Sequence, residues 1–399
     1  MKNILFLIVL LTSFTSNAQI GQWQLCNMGS CNYFNRSFIE SQGKLFSTGC
    51  YSMDNGFTWS APAGNTGAYS YEINSAGIFA GSSSAIYFSN TNGSTWTNVH
   101  NFGTLNFVFG MAKLNDTIYA ATFSQGIWMT PDNGNTWAAM NSGLTTDSIY
   151  SILSVNNLLY AGTFSNGIFI SANSGLSWAP INNGLHVNEI IRSMTSDNIN
   201  IYASTTDALY YSNNNGASWM QAGIPTTHVG KVIAVGNALL VGGANFSGTE
   251  GLFRSLDQGN SWSLYDSGLP NSCIYVVGAL YATSNYVFCG LGETYQPCSS
   301  TDIYRIDRNS VTTSFSESVN LNQVIVEEYP NPFSESVSFR STSNTTVDII
   351  LYDITKRIIL NQSFIATISI NTSKLDHGIY FYESRNKSGL INSGKIIKN

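Results

Sequence analysis

Charge is what this chain is shortest of. Asp, Glu, Lys and Arg make up 10% of its 399 residues, 17 basic against 23 acidic, for a formal net charge of −6. Lys and Arg form no cluster between residues 19 and 308, so the basic footprint that nucleic-acid binding requires is missing. Histidine is scarcer still. His100, His186, His228 and His377 stand far apart, and no Cys-x-x-Cys pair accompanies them, which argues against a zinc site or any metal cofactor. There is no Gly-rich phosphate loop and no recognisable Ser-His-Asp nucleophile motif. Beyond Ile4–Leu11 no long apolar run occurs, and that one is too short to cross a bilayer.

Glycine (35 residues) and aromatics (13%) are plentiful, the composition of many short strands joined by tight turns. One octet recurs. Ser52-Met53-Asp54-Asn55-Gly56-Phe57-Thr58-Trp59 returns as Ser89–Trp96, Thr130–Trp137, Ser171–Trp178, Ser212–Trp219 and Ser255–Trp262, and the intervals Trp96 to Trp137 to Trp178 to Trp219 are 41 residues each. A unit of that length marks a repeat architecture. Each octet lies between strand-like runs. Its glycine (Gly56, Gly93, Gly134, Gly175, Gly216, Gly259) suits a positive φ. The residue two before it (Asp54, Thr91, Asp132, Asn173, Asn214, Asp257) can accept backbone hydrogen bonds and shut the turn. The tryptophans Trp59, Trp96, Trp137, Trp178, Trp219 and Trp262 have the area to pack beneath it. With Thr or Asn replacing Asp in three of six copies, the position reads as a turn acceptor and not as a metal ligand.

These octets resemble the Asp-box, or BNR, repeat of sialidases, sortilin-type receptors, xyloglucan-cleaving glycosidases and photosystem-assembly-factor-like propellers. The resemblance implies a β-propeller with the boxes on hairpins away from the ligand-binding mouth. Trp23-Gln24-Leu25 looks like the strand that follows each box, but no box precedes it. After the last box, Val276–Ala282, Tyr286–Leu291 and Ile303–Ile306 look like three strands lacking a fourth. The two halves complement each other, giving an all-β fold: a seven-bladed β-propeller with the N-terminal strand closing the last blade, over residues 19–308.

Ahead of it, Lys2, the apolar Ile4–Leu11 and the small residues Ser16-Asn17-Ala18 read as a signal peptide over residues 1–18. Residues 309–323, opening Asn309-Ser310-Val311-Thr312-Thr313-Ser314, are polar and aperiodic and read as a linker. From 324 to 399 seven short strand-like runs predict a small Ig-like β-sandwich. Here Tyr329-Pro330-Asn331-Pro332-Phe333, Asp353-Ile354-Thr355-Lys356-Arg357, Leu375-Asp376-His377-Gly378-Ile379-Tyr380-Phe381 and Gly394-Lys395-Ile396-Ile397-Lys398 resemble the type A C-terminal sorting domain of the type IX secretion system. Lys356 stands where that family usually has Gly. The resemblance implies export across the outer membrane, with the secretion machinery and a sortase-like protease as partners, and Pro330, Asn331, Pro332, Gly378, Tyr380, Gly394 and Lys395 as motif positions.

Six cysteines suit an exported protein. Proximity favours Cys26 with Cys31 and Cys289 with Cys298, leaving Cys50 and Cys273. The segments predicted on the face opposite the boxes include Thr122–Gly126, Thr163–Gly167, Asn245–Gly248, the connectors between units and the loop Gly290–Asp302. They offer Phe123, Phe164, His186, His228, Phe246 and Tyr295 as a candidate ligand face. A sialidase would need an arginine clamp. Arg36, Arg192, Arg254, Arg305 and Arg308 are the only candidates, no Arg-Ile-Pro element is present, and Arg254 and Arg305 lie on third strands just before the turn, so they should not converge on the central mouth. A glycoside hydrolase needs two facing carboxylates, for which Asp147, Glu189, Glu250, Asp266 and Glu293 are available. The reading is a monomeric surface or secreted propeller that binds a protein or glycan without catalysis, with hydrolysis of extracellular polysaccharide as the alternative.

Overall fold

The computed structural model describes residues 22–29, 31, 35–61, 67–186, 188, 190–206, 208–224, 229–243, 251–270, 274–295, 302–312, 326–329, 333–341, 346–355, 357–365, 367–386 and 389–398. The chain divides into two units, Met1–Thr313 and Ser314–Asn399.

In the first unit the described strands form seven antiparallel sheets, following one another along the sequence. Sheet 1 holds Phe38–Ser41, Lys44–Ser47 and Cys50–Ser52, with Ser60 bridged to Tyr51 as a rudimentary fourth strand. Sheets 2 to 6 have four strands each and begin with Ser70–Asn74, Val108–Leu114, Ile149–Val155, Ser193–Ser196 and Val229–Val235. Sheet 7 comprises Ile274–Ala282, Tyr286–Tyr295 and Ile303–Asp307, and its fourth strand is Gln24–Leu25, paired Gln24 to Arg305 and Leu25 to Tyr304. The first strand of each sheet packs on the first strand of the next, and that of sheet 7 packs on that of sheet 1.

The second strands are buried on both faces and therefore lose the usual alternation. Leu158–Thr163 (Leu-Leu-Tyr-Ala-Gly-Thr) is buried from its second residue on. Small residues near the strand's end let the sheets approach. A Cβ added at Gly81 would lie 2.5 Å from Val108 Cγ1, at Gly162 2.6 Å from Ile191 Cγ2, and at Gly242 2.4 Å from Val277 Cβ. The core is thus a series of inter-sheet layers. One such layer gathers Tyr119 and Ile127 of sheet 3 with Ile152, Leu159 and Phe169 of sheet 4 and the box Trp178.

Each octet closes its own turn. Ser52 Oγ accepts from Gly56 N at 2.8 Å, Asp54 Oδ1 accepts from Thr58 N at 2.9 Å, and Asp54 Oδ2 accepts from Thr58 Oγ1 at 2.7 Å. The boxed Gly and the residue before it both have positive φ, as at Asn55 (55°) and Gly56 (74°). The indoles of Trp59 and Trp262 bond the carbonyl of their own box glycine, Gly56 O and Gly259 O, whereas other tryptophans tie the turn to a neighbouring sheet. Trp178 N donates to Ser142 O and Nε1 to Met140 O, and Trp219 repeats this with Asn183 O and Ile181 O. Trp23 does the same with Ser267 O and Tyr265 O, both at 2.8 Å. It therefore occupies a box tryptophan's place without having a box.

Three expectations are corrected. The disulfide joins Cys31 to Cys50, with Cα atoms 6.0 Å apart, while Cys26 and Cys289 are free and buried. Cys26 is fixed in the core by its N–H to Ile303 O, and a turn from Cys31 N to Met28 O carries Cys31 away toward sheet 1. Burial pushes the Cys26 thiol up to about 12. Cys273 and Cys298 lie outside the described residues. Secondly, the linker does not begin at 309. Arg308–Thr312 is a short helix with Ser310 and Val311 buried, held where Ser310 O accepts from Arg254 Nη1 at 3.0 Å and Tyr265 Oη at 2.9 Å. Thirdly, the segment Gly290–Asp302 is not loop throughout, since the second strand of sheet 7 runs on to Tyr295.

The second unit contains two antiparallel sheets. One orders Val326–Tyr329, Ser336–Ser341 and Thr367–Asn371; the other orders Ile358–Phe364, Val347–Tyr352, Gly378–Asn386 and Gly389–Lys398. Inward residues of both sheets, Val337, Phe339 and Ile370 with Ile349, Leu351 and Tyr382, share one core. Asp353 closes the turn before Ile358 by accepting from Thr355 N (2.9 Å) and Arg357 N (3.1 Å). Tyr380 Oη donates to Asp376 O at 2.9 Å. Gly394 pairs with Tyr382 and Lys395 with Phe381 on the last strand. Pro330, Asn331 and Pro332 lie outside the described residues. Phe333 is buried and its N–H bonds Ile397 O at 2.9 Å.

Candidate ligand-binding face

Two of the expected residues meet. The loops Thr122–Gly126 and Thr163–Gly167 fold alike: Thr122 Oγ1 donates to Gly126 O, Thr163 Oγ1 to Gly167 O, and both glycines have φ near 70°. An asparagine from the following connector seals each loop. Asn141 Oδ1 accepts from Ile127 N and its Nδ2 donates to Gln125 O, and Asn182 does the same with Ile168 N and Asn166 O. The loops are anchored to the entries of the first strands, through Phe123 N to Phe107 O and Phe164 N to Ser148 O, both at 3.0 Å. Phe123 and Phe164 are thereby brought edge to face, with centroids 5.7 Å apart.

They belong to a larger group. Phe109 is flanked by near-parallel Phe107 (5.5 Å, 14°) and Tyr150 (4.7 Å, 22°), Tyr69 sits 5.1 Å from Phe107, and Phe123 lies 5.9 Å from Phe109. None of these rings is fully buried, and Phe164 is 39% exposed. The backbone explains the presentation. Phe109 falls at a register shift between the pairs Val108–Thr122 and Gly110–Ala121, and Tyr150 at one between Ile149–Thr163 and Ser151–Gly162. A bulge re-aims the extra side chain out of the ladder.

The same position in later sheets carries cations. Arg192 immediately precedes the first strand of sheet 5, its N–H bonding Ser204 O at 2.8 Å. Lys231 falls in the register shift between Val229–Gly243 and Val232–Val241. Arg36, ahead of sheet 1, places its guanidinium 4.5 Å from the Tyr69 ring centroid, a contact worth about 0.5–2 kcal/mol. Burial, and then the charges of Arg36 and Arg192, hold the Lys231 ammonium down to about 8. Lys231 thus lies within reach of both guanidinium charges.

Other expected residues fall elsewhere. His186 is exposed, with its ring 6.2 Å from Tyr210, and His100 packs among Phe102, Trp128 and Trp137. His228, Phe246, Glu189 and Glu250 lie outside the described residues, as do the side chains of Glu293 and Tyr295. Asp147 precedes sheet 4 and Asp266 follows sheet 6, so these two acids belong to different connectors. Arg305 binds Asn55 O beside a box turn and Arg254 is buried against Ser310, away from the aromatic group as their positions before the turns imply. Among the described residues no three His, Cys, Asp or Glu side chains cluster as metal ligands. Reasoning along the sequence passed over Tyr69, Phe109, Tyr150 and Lys231, and weighed Arg192 only for an arginine clamp. The signal was there, because they recur at intervals of 40, 41, 42 and 39 residues.

A propeller-type domain joined to an export-sorting domain is the class this architecture defines. Residues 327–399 match the secretion system C-terminal sorting domain, and residues 168–309 match the DUF6242 β-propeller domain. The chain accordingly joins an N-terminal propeller-type domain to a sorting domain of the type IX secretion system, the make-up of a surface or secreted protein. No curated protein sequence matches it. Among solved structures it is similar to the extracellular domain of a putative hybrid two-component system of B. thetaiotaomicron, at 15% identity and a TM-score of 0.58, covering 82% of this chain and 45% of that one. It is also similar to PorZ, a surface component of the type-IX secretion system of Porphyromonas gingivalis, at 10% identity and 0.50, covering 94% and 60%. A third is YCF48 of Cyanidioschyzon merolae, at 15% and 0.54, covering 71% and 98%. The chain thus spans about half the length of the first two. At these identities the likeness concerns the fold.

Proposed function

We propose that the seven sheets close into a seven-bladed propeller, with Trp23–Leu25 completing the last blade, and that the mature protein holds a protein or glycan ligand over the face opposite the boxes without turning it over. Closure is supported by the contacts that run from first strand to first strand and return from sheet 7 to sheet 1. It is supported also by Gly290, where an added Cβ would lie 2.4 Å from Asn35 just ahead of sheet 1. In this reading residues 1–18 are a signal peptide, the second unit is an Ig-like sandwich read by the secretion machinery and trimmed by a sortase-like protease, and the box residues shape turns.

The observation that carries ligand binding is the aromatic group itself. Six rings from three successive sheets converge, part-exposed, where the fold could have buried or omitted them, and such patches mark interaction sites. Binding to a glycan and protein array should be lost on Tyr150→Ala or Phe164→Ala, at least tenfold, with the melting temperature unchanged within a few degrees. Release of reducing ends from any polysaccharide, abolished by changing Asp147 or Asp266, would overturn the non-catalytic reading.

A further inference from the structure

Resting on the reading that the second unit is read by the secretion machinery, we infer that a protein of that machinery docks, through an apolar surface of its own, on the outer face of the unit's four-stranded sheet. An antiparallel sheet packed on one side carries apolar residues inward and polar ones outward. The unit's three-stranded sheet obeys this rule. Val337, Phe339 and Ile370 are buried, whereas Ser336, Thr367, Ser369 and Asn371 are exposed, and Ser338 Oγ bonds Ser369 Oγ at 3.2 Å. The four-stranded sheet breaks it. Its inward positions Ile349, Leu351, Tyr380, Tyr382 and Ile396 are buried, but alternate positions are apolar as well. Ile379 and Phe381 are 42% and 44% exposed and Ile358 is 58% exposed, while Tyr352 and Ile397 are half-buried.

Register makes one surface of them. Tyr352 lies opposite Ile358 on one side and Phe381 on the other, and Ile379 lies opposite Ile397. Directly paired residues share a face, so the five side chains form a patch that crosses all four strands. One end of it is polar. Tyr352 Oη donates to Glu383 Oε2 at 3.1 Å, and Arg385 Nη2 donates to the same oxygen at 2.7 Å, giving the apolar centre and polar rim of a protein interface. The origin of these residues selects the occupant. Residues 327–399 match the sorting domain, and this sheet brings together three of the four segments that carry that resemblance, Asp353–Arg357, Leu375–Phe381 and Gly394–Lys398. The core uses Tyr380 and Ile396 from them and leaves Ile379, Phe381 and Ile397 on the other face. Exposed apolar patches of this kind mark interaction sites, and in a sorting domain the partner is the apparatus that sorts.

The test is export of full-length variants, followed by immunoblots of periplasm, cell surface and medium, with an unfolding curve for each purified chain. Ile379→Thr/Phe381→Thr keeps β-branched side chains suited to a strand. It should lower the amount outside the cell about tenfold, the size expected when an aromatic anchor is lost from an interface, and raise the periplasmic amount, with the melting temperature unchanged. Ser336→Lys/Ser369→Lys, on the outer face of the other sheet, should be exported like the parent. Normal export of the apolar-face variant, or equal loss for the serine variant, would overturn the inference. Two other occupants would overturn it as well. A lowered melting temperature in Ile379→Thr/Phe381→Thr assigns the face to packing within this chain, and a parent that sediments as a dimer beside a monomeric variant assigns it to a second copy. The export reading fails separately, if the chain lacking Leu390–Asn399 still leaves the cell; an error in the face alone shows as a blocked truncation and a freely exported variant.

Discussion

At the scale of single residues the octets show why three different side chains serve one position. Asp132 Oδ1 accepts from Thr136 N at 2.9 Å, and its Oδ2 accepts from Thr136 Oγ1 at 2.7 Å. At Asn173 the Oδ1 accepts from Ser177 N at 2.9 Å and the Nδ2 donates to Ser177 Oγ at 2.8 Å, so the partner hydroxyl simply turns round. Thr91 makes both contacts with one oxygen. The Asp boxes alone are charged. Bonds from the Thr136 backbone and side chain hold the Asp132 carboxyl below its ordinary value. At Asp54 and Asp257 burial pushes up, but the turn's hydrogen bonds outweigh it and the net shift is again downward. A carboxyl lowered in the fold stabilises fully above its unfolded value of about 4, and that stability is lost as pH falls through the folded value. Asp54→Asn/Asp132→Asn/Asp257→Asn should therefore flatten the decline of melting temperature between about pH 5 and pH 2. Parallel curves for variant and parent would refute this.

Among the elements, Gln24–Leu25 is short but carries much. Trp23 beside it is 3% exposed, sits in the core between sheets 6 and 7, and duplicates the bonds of Trp178 and Trp219. Trp23→Ala should cost about 3–5 kcal/mol, the range for truncating a buried large aromatic, measured by denaturant unfolding. A loss under 1 kcal/mol would show that this strand is dispensable. Removing residues 22–28 should go further, since an uncovered sheet edge invites pairing between molecules. Light scattering that rises with protein concentration would register it. The bulged entries of the first strands are the other decisive elements. One extra residue per entry is what turns Phe109, Tyr150 and Lys231 out of the ladder.

For the whole molecule, export depends on a domain whose last strand is structural. Gly389–Lys398 pairs along Gly378–Asn386, Ile396 is fully buried and Ile397 O holds the Phe333 N–H. Deleting Leu390–Asn399 should leave this unit unable to fold, and the chain should accumulate in the periplasm. Immunoblots of fractionated cells check it, and unimpaired appearance of the truncated chain outside would defeat the assignment.

What the amino-acid order determined by itself is what rests on neighbours within a few residues. The box turns close through bonds from a residue to the second and fourth after it, the connector asparagines recur at the repeat's own spacing, and each strand follows from its local pattern. Even the orphaned Trp23 announced its place, because it copies a strand seen six times over. Tertiary structure decided the rest. Cys31 took Cys50 over the nearer Cys26 because turns, not chain distance, set where thiols meet, and the helix Arg308–Thr312 formed in a polar stretch because Arg254 and Tyr265 were there to bind its carbonyls. Tyr69, Phe109, Tyr150 and Phe164 became one group of rings only through packing between sheets, which brings residues far apart along the chain into contact.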